Sequence, residues 1–312
     1  MLLNPSGDAA LLKLLGTLDS LGYRFVTPTP ATHQRVLQRR GKATAKDLRD
    51  VLGWSLPFEP SLLPADILET LFHADVIEQK DGLLRSNIRV SSIGERLFLH
   101  SAFPTDAEDS VFFGPDTYRY ADFIRSELPR AANVRRLVDI GAGTGAGAIM
   151  AAPLLPGARL TLLDINPAAL RLARINARHA GLEVELVEGE TLDAATGLVD
   201  LVIANPPYIM DESDRDYRNG GGMHGAQLSL DWTLSAARRL ERGGRMLLYT
   251  GVAIVAGRDH LREALERELP GLGCSLRYRE IDPDIFGEEL DGPAYADVER
   301  IAAVGAVVEA AG

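Results

Sequence analysis

One cysteine, Cys274, stands among the 312 residues of the chain. That excludes an internal disulfide and any zinc site built from cysteines. Long apolar runs are also missing. The best, over 146–155, is broken by Pro153 and falls short of the roughly 20 residues that a membrane-spanning helix needs. The first residues include Asp8 and no basic start ahead of an apolar stretch, so no secretory signal is expected. These absences predict a cytoplasmic protein without a membrane partner. Positive charge is in deficit. Formal net charge is −11; residues 1–110 carry 12 Lys and Arg against 14 Asp and Glu, and the remainder 21 against 30. A field of that sign repels phosphate backbones unless a local patch overrides it. It disfavours nucleic acid as a partner without excluding it. No internal repeat or low-complexity tract is present. The rest of the composition is that of a globular protein, 46% hydrophobic and 25% charged, and the length allows two domains.

The pattern changes near residue 110, which sets expected domains of 1–110 and 111–312. The first has short helical patterns separated by proline-rich breaks at 27–30 and 57–64. Thr44 is the expected cap of a helix through Leu52, stopped by Gly53. A helix is expected over 64–77, with Ile67, Leu68, Leu71 and Phe72 on one face. Asp81-Gly82 signals a hairpin turn, and strand-like runs follow at 83–84 and 88–90. Helices followed by a small hairpin suggest a helical, winged-helix-like module for contacting a substrate or partner. The second domain alternates strand and helix. Strands are expected at 137–140, 159–164, 184–187, 198–204, 245–249, 276–281 and 301–308. Helices are expected after the glycine turn through Ala152, from Pro167 with Asn166 as cap to Gly181, over 226–240, and over 259–269. Such alternation implies an α/β fold, a mostly parallel sheet with helices on both faces. Ligands then sit beyond the carboxyl ends of the strands.

Two motifs stand at such ends. Asp139-Ile140-Gly141-Ala142-Gly143-Thr144-Gly145 closes the first strand and opens a helix. Gly141, Gly143 and Gly145 let the backbone turn tightly and approach a ligand, and the helix offers free N–H groups to it. Gly141, Gly143 and Ala146 also fit the looser G-x-G-x-x-A dinucleotide pattern. Asp139, two residues ahead of Gly141, favours S-adenosylmethionine over NAD, because an acid there can meet the cationic amino group of the methionine moiety. Asp164, with Ile165 beside it, ends the second strand; its carboxylate can accept both hydroxyls of a ribose. Glu190, after the third strand, can accept from an adenine amine. The cofactor set is therefore Asp139, Gly141, Ala142, Gly143, Gly145, Asp164, Ile165 and Glu190, joined by Asn205.

The second motif, Asn205-Pro206-Pro207-Tyr208, follows the fourth strand directly and lies 66 residues beyond Asp139. It matches the amino-methylating signature [DNS]-P-P-[YFW]. The chain resembles class I S-adenosylmethionine-dependent methyltransferases, and within them the HemK-like release-factor glutamine methyltransferases. Asn205 to Ile209 matches that family's Asn-Pro-Pro-Tyr-Ile. Gly221-Gly222-Met223-His224-Gly225 matches its Gly-Gly-x-x-Gly segment, and 111–117 is similar to the stretch ahead of its catalytic domain. The likeness covers about 110–312; residues 1–110 do not match the family's helical substrate domain. It implies a Rossmann-like domain with a mostly parallel seven-stranded sheet, S-adenosylmethionine as methyl donor, and a protein or small-molecule acceptor.

The chemistry accounts for the spelling. An amide nitrogen is a poor nucleophile because its lone pair is delocalised. The Asn205 side-chain oxygen and the Pro206 carbonyl can accept its two N–H bonds and stabilise the charge that develops. Pro206 and Pro207 stiffen the corner and remove competing donors, and Tyr208 offers a ring face for a planar group. The sulfonium is already activated, so alignment is most of what remains, and no metal is required. Residues 209–225 read as a lid beside this corner; Tyr217 and His224 lie in it within reach of a substrate, with a plain loop role the favoured reading of both. The basic run Arg35, Arg39, Arg40, Lys42, Lys46, Arg49 reads as a solvated helix face, and Cys274 as a packed strand residue. An amide of a protein glutamine or a peptide-like metabolite is the favoured acceptor. An exocyclic amine of an RNA or DNA base is the alternative. A non-catalytic S-adenosylmethionine- or DNA-binding regulator and an NAD oxidoreductase are readings that Asn205, Tyr208 and Asp139 speak against.

Overall fold

The computed structural model describes residues 5–40, 44–105, 107–128, 133–210 and 219–312. Contacts divide the chain into two units: 1–119 with 143–146 and 167–183, and 120–142 with 147–166 and 184–312.

In the first unit, α1 (Pro5–Ser20), α2 (Pro30–Arg40), α3 (Leu48–Leu52) and α4 (Ala65–His73) precede two hairpins. These are β1 (Ile77–Lys80) with β2 (Leu83–Ser86), and β3 (Ile88–Ile93) with β4 (Arg96–Ser101). Leu11, Leu14, Leu15 and Leu18 recur at helical spacing and are all buried, so α1 supplies one wall of this core. Asp47, not Thr44, caps α3: its carboxylate accepts the Asp50 N–H at 2.8 Å, the interaction that a short helix start most needs. The helix expected to reach Ile77 stops at His73. Asp75 turns left-handed, φ 58°, and Ile77 begins β1 instead. Asp81-Gly82 makes the expected turn, and the chain then adds a second hairpin. Helix α7 (Pro167–His179) belongs to this unit. Asp8 of α1 accepts from Arg171 and Arg174 of α7, both at 2.6 Å, and Asn176 bonds both backbone groups of Leu99.

The second unit is built on one sheet. Its strands are β5 (Arg136–Ile140), β6 (Arg159–Asp164), β7 (Val184–Glu188), β8 (Val199–Ala204), β9 (Leu240–Val255), the two-residue β10 (Arg258–Asp259), β11 (Cys274–Asp282) and β12 (Arg300–Ala310). The order is β11-β12-β9-β8-β5-β6-β7, with β10 paired to β9. Strands β7, β6, β5, β8 and β9 are parallel, and β12 and β11 close the edge antiparallel. This is the expected seven-stranded, mostly parallel Rossmann-like sheet, with a short eighth strand beside it. Helices α5 (Pro115–Glu127), α6 (Ala146–Ala151), α8 (Gln227–Ala237) and α9 (His260–Glu268) accompany it. Helix α6 ends one residue earlier than expected and passes into a 3₁₀ turn over Ala152–Leu154, where Pro153 has no N–H to continue it. Strand β9 is longer than expected at both ends. Gly243, φ 70°, lets it absorb a register shift against β8 rather than end in a turn. Cys274 is buried on β11.

From β5 the chain winds to β6 and β7 on one side, then returns to β8 and β9 on the other. The switch point therefore lies between β5 and β8, where open α/β sheets bind ligands.

Candidate active site

Register fixes the centre of the site. Ile140 pairs with Ala204, so Gly141 and Asn205 leave the sheet side by side. Ile140 also pairs with Leu163, and Asp164 with Glu188. Asp164, Ile165 and Glu190 thus emerge from the same end of the sheet as Asp139, Gly141 and Ala142.

Asn205 Oδ1 is buried and has no hydrogen-bond partner among the described residues. A buried amide oxygen left unpaired costs free energy unless something donates to it. Pro206 is buried and Tyr208 is 8% exposed. The Tyr208 ring lies on Gly251 of β9, where an added Cβ would collide with it. Phe286 meets the ring edge-on, 5.8 Å between centroids. The Tyr208 backbone is clasped by Gly220 and Gly225, where a Cβ would strike Tyr208 itself. Gly220 N–H also donates to Ile209 O at 2.8 Å. Tyr295 Oη accepts the Met210 N–H at 2.8 Å, and His224 pairs with Asp297 at 3.1 Å. Met223, His224 and Phe286 all hold positive φ, 55°, 51° and 52°; such strain collects at functional sites. Tyr217 and the tip of the expected lid, 211–218, lie outside the described residues, as does Lys42 of the basic run. Arg35 and Arg39 are exposed on α2.

On the glycine side, Gly141, Gly143 and Gly145 have φ of 63°, 53° and 75°, a run that other residues adopt only under strain. The Trp232 ring of α8 fills the space that a Gly141 Cβ would need, and Ala142 N–H donates to Leu163 O. Asp139 is 1% exposed. Its carboxylate accepts the Ala148 N–H of α6 at 2.9 Å and the Tyr120 hydroxyl at 3.4 Å. Burial pushes its pKa up to about 7, and the charge of Asp164 adds to the rise. Among the described residues, no basic side chain offsets the rise. Asp164 accepts the Asn166 N–H at 2.9 Å, Ile165 is 41% exposed, and Glu190 is exposed.

The sequence reading did not identify Gly251, Phe286, Tyr295, Asp297, Tyr120 or Trp232. Gly251 carried a signal, since an isolated glycine inside a strand marks close approach of another group. Phe286, Tyr295 and Asp297 lie in an irregular segment with no period to read.

Residues 120–252 match the family model of the methyltransferase small domain. A release factor glutamine methyltransferase of Deinococcus radiodurans is 33% identical over 179 residues, 56% of this chain and 63% of that protein. A ribosomal RNA large subunit methyltransferase G of Vibrio vulnificus is 28% identical over 44% of this chain and 35% of its own length. A ribosomal protein uL3 glutamine methyltransferase of Neisseria gonorrhoeae is 27% identical over 67% of this chain and 75% of its own length. The chain thus spans less than two thirds of the length of the first two relatives. Sheet order, switch point and domain match together define a class I methyltransferase fold. Within that class, two of these relatives are named as glutamine methyltransferases.

Proposed function

We propose that the chain is an S-adenosylmethionine-dependent N-methyltransferase whose acceptor is a planar amide nitrogen, the side chain of a protein glutamine. One observation carries this reading: Asn205 Oδ1 is a buried acceptor without a donor among the described residues, at the sheet end where Gly141 opens the glycine turn. A planar NH2 group would satisfy it, with the Pro206 carbonyl taking the second N–H and the Tyr208 ring flanking the plane. In the transfer, the nitrogen lone pair forms the new N–C bond and the C–S bond electrons return to sulfur. One amide proton then leaves to solvent.

The cofactor residues fit the donor. Asp139 is a buried acid that faces no cation among the described residues, and the donor supplies an ammonium and a sulfonium. In this reading Asp164 takes the ribose hydroxyls, the exposed Ile165 beside it offers an apolar surface to the base, and the exposed Glu190 takes the adenine amine. The two glutamine-methylating relatives support the protein acceptor, and a cytoplasmic setting follows from it. The ribosomal RNA relative keeps a base amine as the second reading, which the net charge of −11 opposes.

Asn205→Ala tests the assignment. Turnover should fall by about 10²–10³-fold, the usual cost of removing one preorganised group at the reacting centre, with donor affinity changed less than about twofold. An unchanged turnover number removes Asn205 from the mechanism.

A further inference from the structure

The face of β3 that carries Arg89 and Ser91 is buried yet polar. β3 pairs with β4 so that Arg89 lies opposite His100 and Ser91 opposite Phe98. Arg89 is 4% exposed, Ser91 0% and His100 1%. Ser91 Oγ lies 2.8 Å from His100 Nε2 and 2.5 Å from Thr27 Oγ1. Arg89 Nη2 donates to Thr27 Oγ1 over a long 3.4 Å, and Thr27 N–H donates to the Tyr118 hydroxyl oxygen at 2.9 Å. Phe113 stacks on His100, and the guanidinium of Arg89 lies over Phe25.

Among the described residues, what this cluster lacks is an anion. Arg89 remains protonated at neutral pH, burial lowering it only to about 10, and the groups of acidic character that face it are the phenols of Tyr23 and Tyr118. Burial raises both phenols, so both are neutral. Burial and the charge of Arg89 keep His33 and His100 neutral as well, His33 near 4. Arg89 Nε has no hydrogen-bond partner among the described residues, and neither has Nδ1 of His33, itself 1% exposed. A guanidinium taken out of water without a counter-charge is destabilising, and apolar residues would fill a purely structural position better.

We propose that this part of the first unit is a binding site for a carboxylate, held on the Nε and Nη2 edge of Arg89. Two coplanar oxygens match that edge. A single negative charge matches the single uncompensated positive one. The surroundings, with the rings of Phe25 and Phe113 and two neutral histidines, disfavour the second charge of a phosphate. The carboxylate belongs either to a free small acid or to a polypeptide side chain or terminus. None of these residues is part of the proposed transfer site, so the two readings stand or fall separately.

The test is thermal unfolding of the full chain and of Arg89→Met, titrated with sodium acetate, succinate, inorganic phosphate and, at matched ionic strength, sodium chloride. A saturable rise in Tm with the carboxylates beyond chloride is expected, lost in Arg89→Met, with the unliganded variant at least as stable as the parent. A peptide with a free C-terminus against its amide then separates the sources. A shift only with the free-acid peptide assigns a polypeptide, and a shift only with acetate or succinate a small acid. A parent shift no larger than with chloride, a shift with phosphate alone, or equal shifts in parent and variant would overturn the proposal. If Arg89→Met fails to fold, the parent titrations against chloride still decide it.

Discussion

Gly251 has no side chain, and the Tyr208 ring occupies the space where one would be. Gly251→Ala should therefore displace the ring and lower turnover by at least tenfold, with donor affinity preserved; steady-state kinetics beside calorimetry check this. Asp139 poses the opposite problem, a charge rather than a volume. Its carboxyl ionises near 3.8 when exposed and near 7 when folded. The folded protein holds that proton more tightly, so this group's contribution to stability is full below about pH 4 and is lost as pH rises through 7. A cationic donor reverses the preference. Donor binding at pH 7 should release protons, and affinity should fall as pH drops below 7, with Asp139→Asn flattening the dependence. Calorimetry in buffers of different ionisation enthalpy measures both. At this scale the sequence revealed residues whose chemistry is spelled by neighbours, such as Asn205 before two prolines. It did not reveal Phe286, which meets the Tyr208 ring, or Tyr295, which accepts from Met210, because such contacts leave no trace in local spacing.

Strands and helices were more legible than side-chain contacts. Period and caps placed β5 to β8, and Asn166-Pro167 marked the start of α7, because these signals act within a few residues. Elements went astray where a single backbone conformation decided them. Asp75 ended α4 early, and Gly243 lies inside β9, which starts at Leu240 and takes up a register shift against β8, ahead of the strand start expected at residue 245. Helix α1 was missed although Leu11, Leu14, Leu15 and Leu18 spell its buried face. Helices α1 and α7 share an apolar core, and local charge ties them as well: Asp8, 8% exposed, accepts from two arginines. Asp8→Asn would remove the negative charge that both guanidiniums donate to and should cost about 2–3 kcal/mol, in the range of hydrogen bonds to charged groups. Urea unfolding with an unchanged m-value would report it.

At the scale of the whole molecule, the alternation of strand and helix implied a mostly parallel α/β sheet, whereas the strand order and the switch point between β5 and β8 are seen in the structure. The identity of the acceptor is not written in that way, because it depends on which surface reaches Asn205. Net charge gives one constraint: transfer to a protein should weaken only shallowly with salt, and transfer to RNA steeply. The decisive measurement follows a labelled methyl group from S-adenosylmethionine into a cell extract separated into protein, RNA and metabolite fractions. The account predicts label in protein, released as methylamine by acid hydrolysis as an N-methyl amide requires, and absent with Asn205→Ala. Label in RNA, or label in protein released as methanol from an ester, would contradict it.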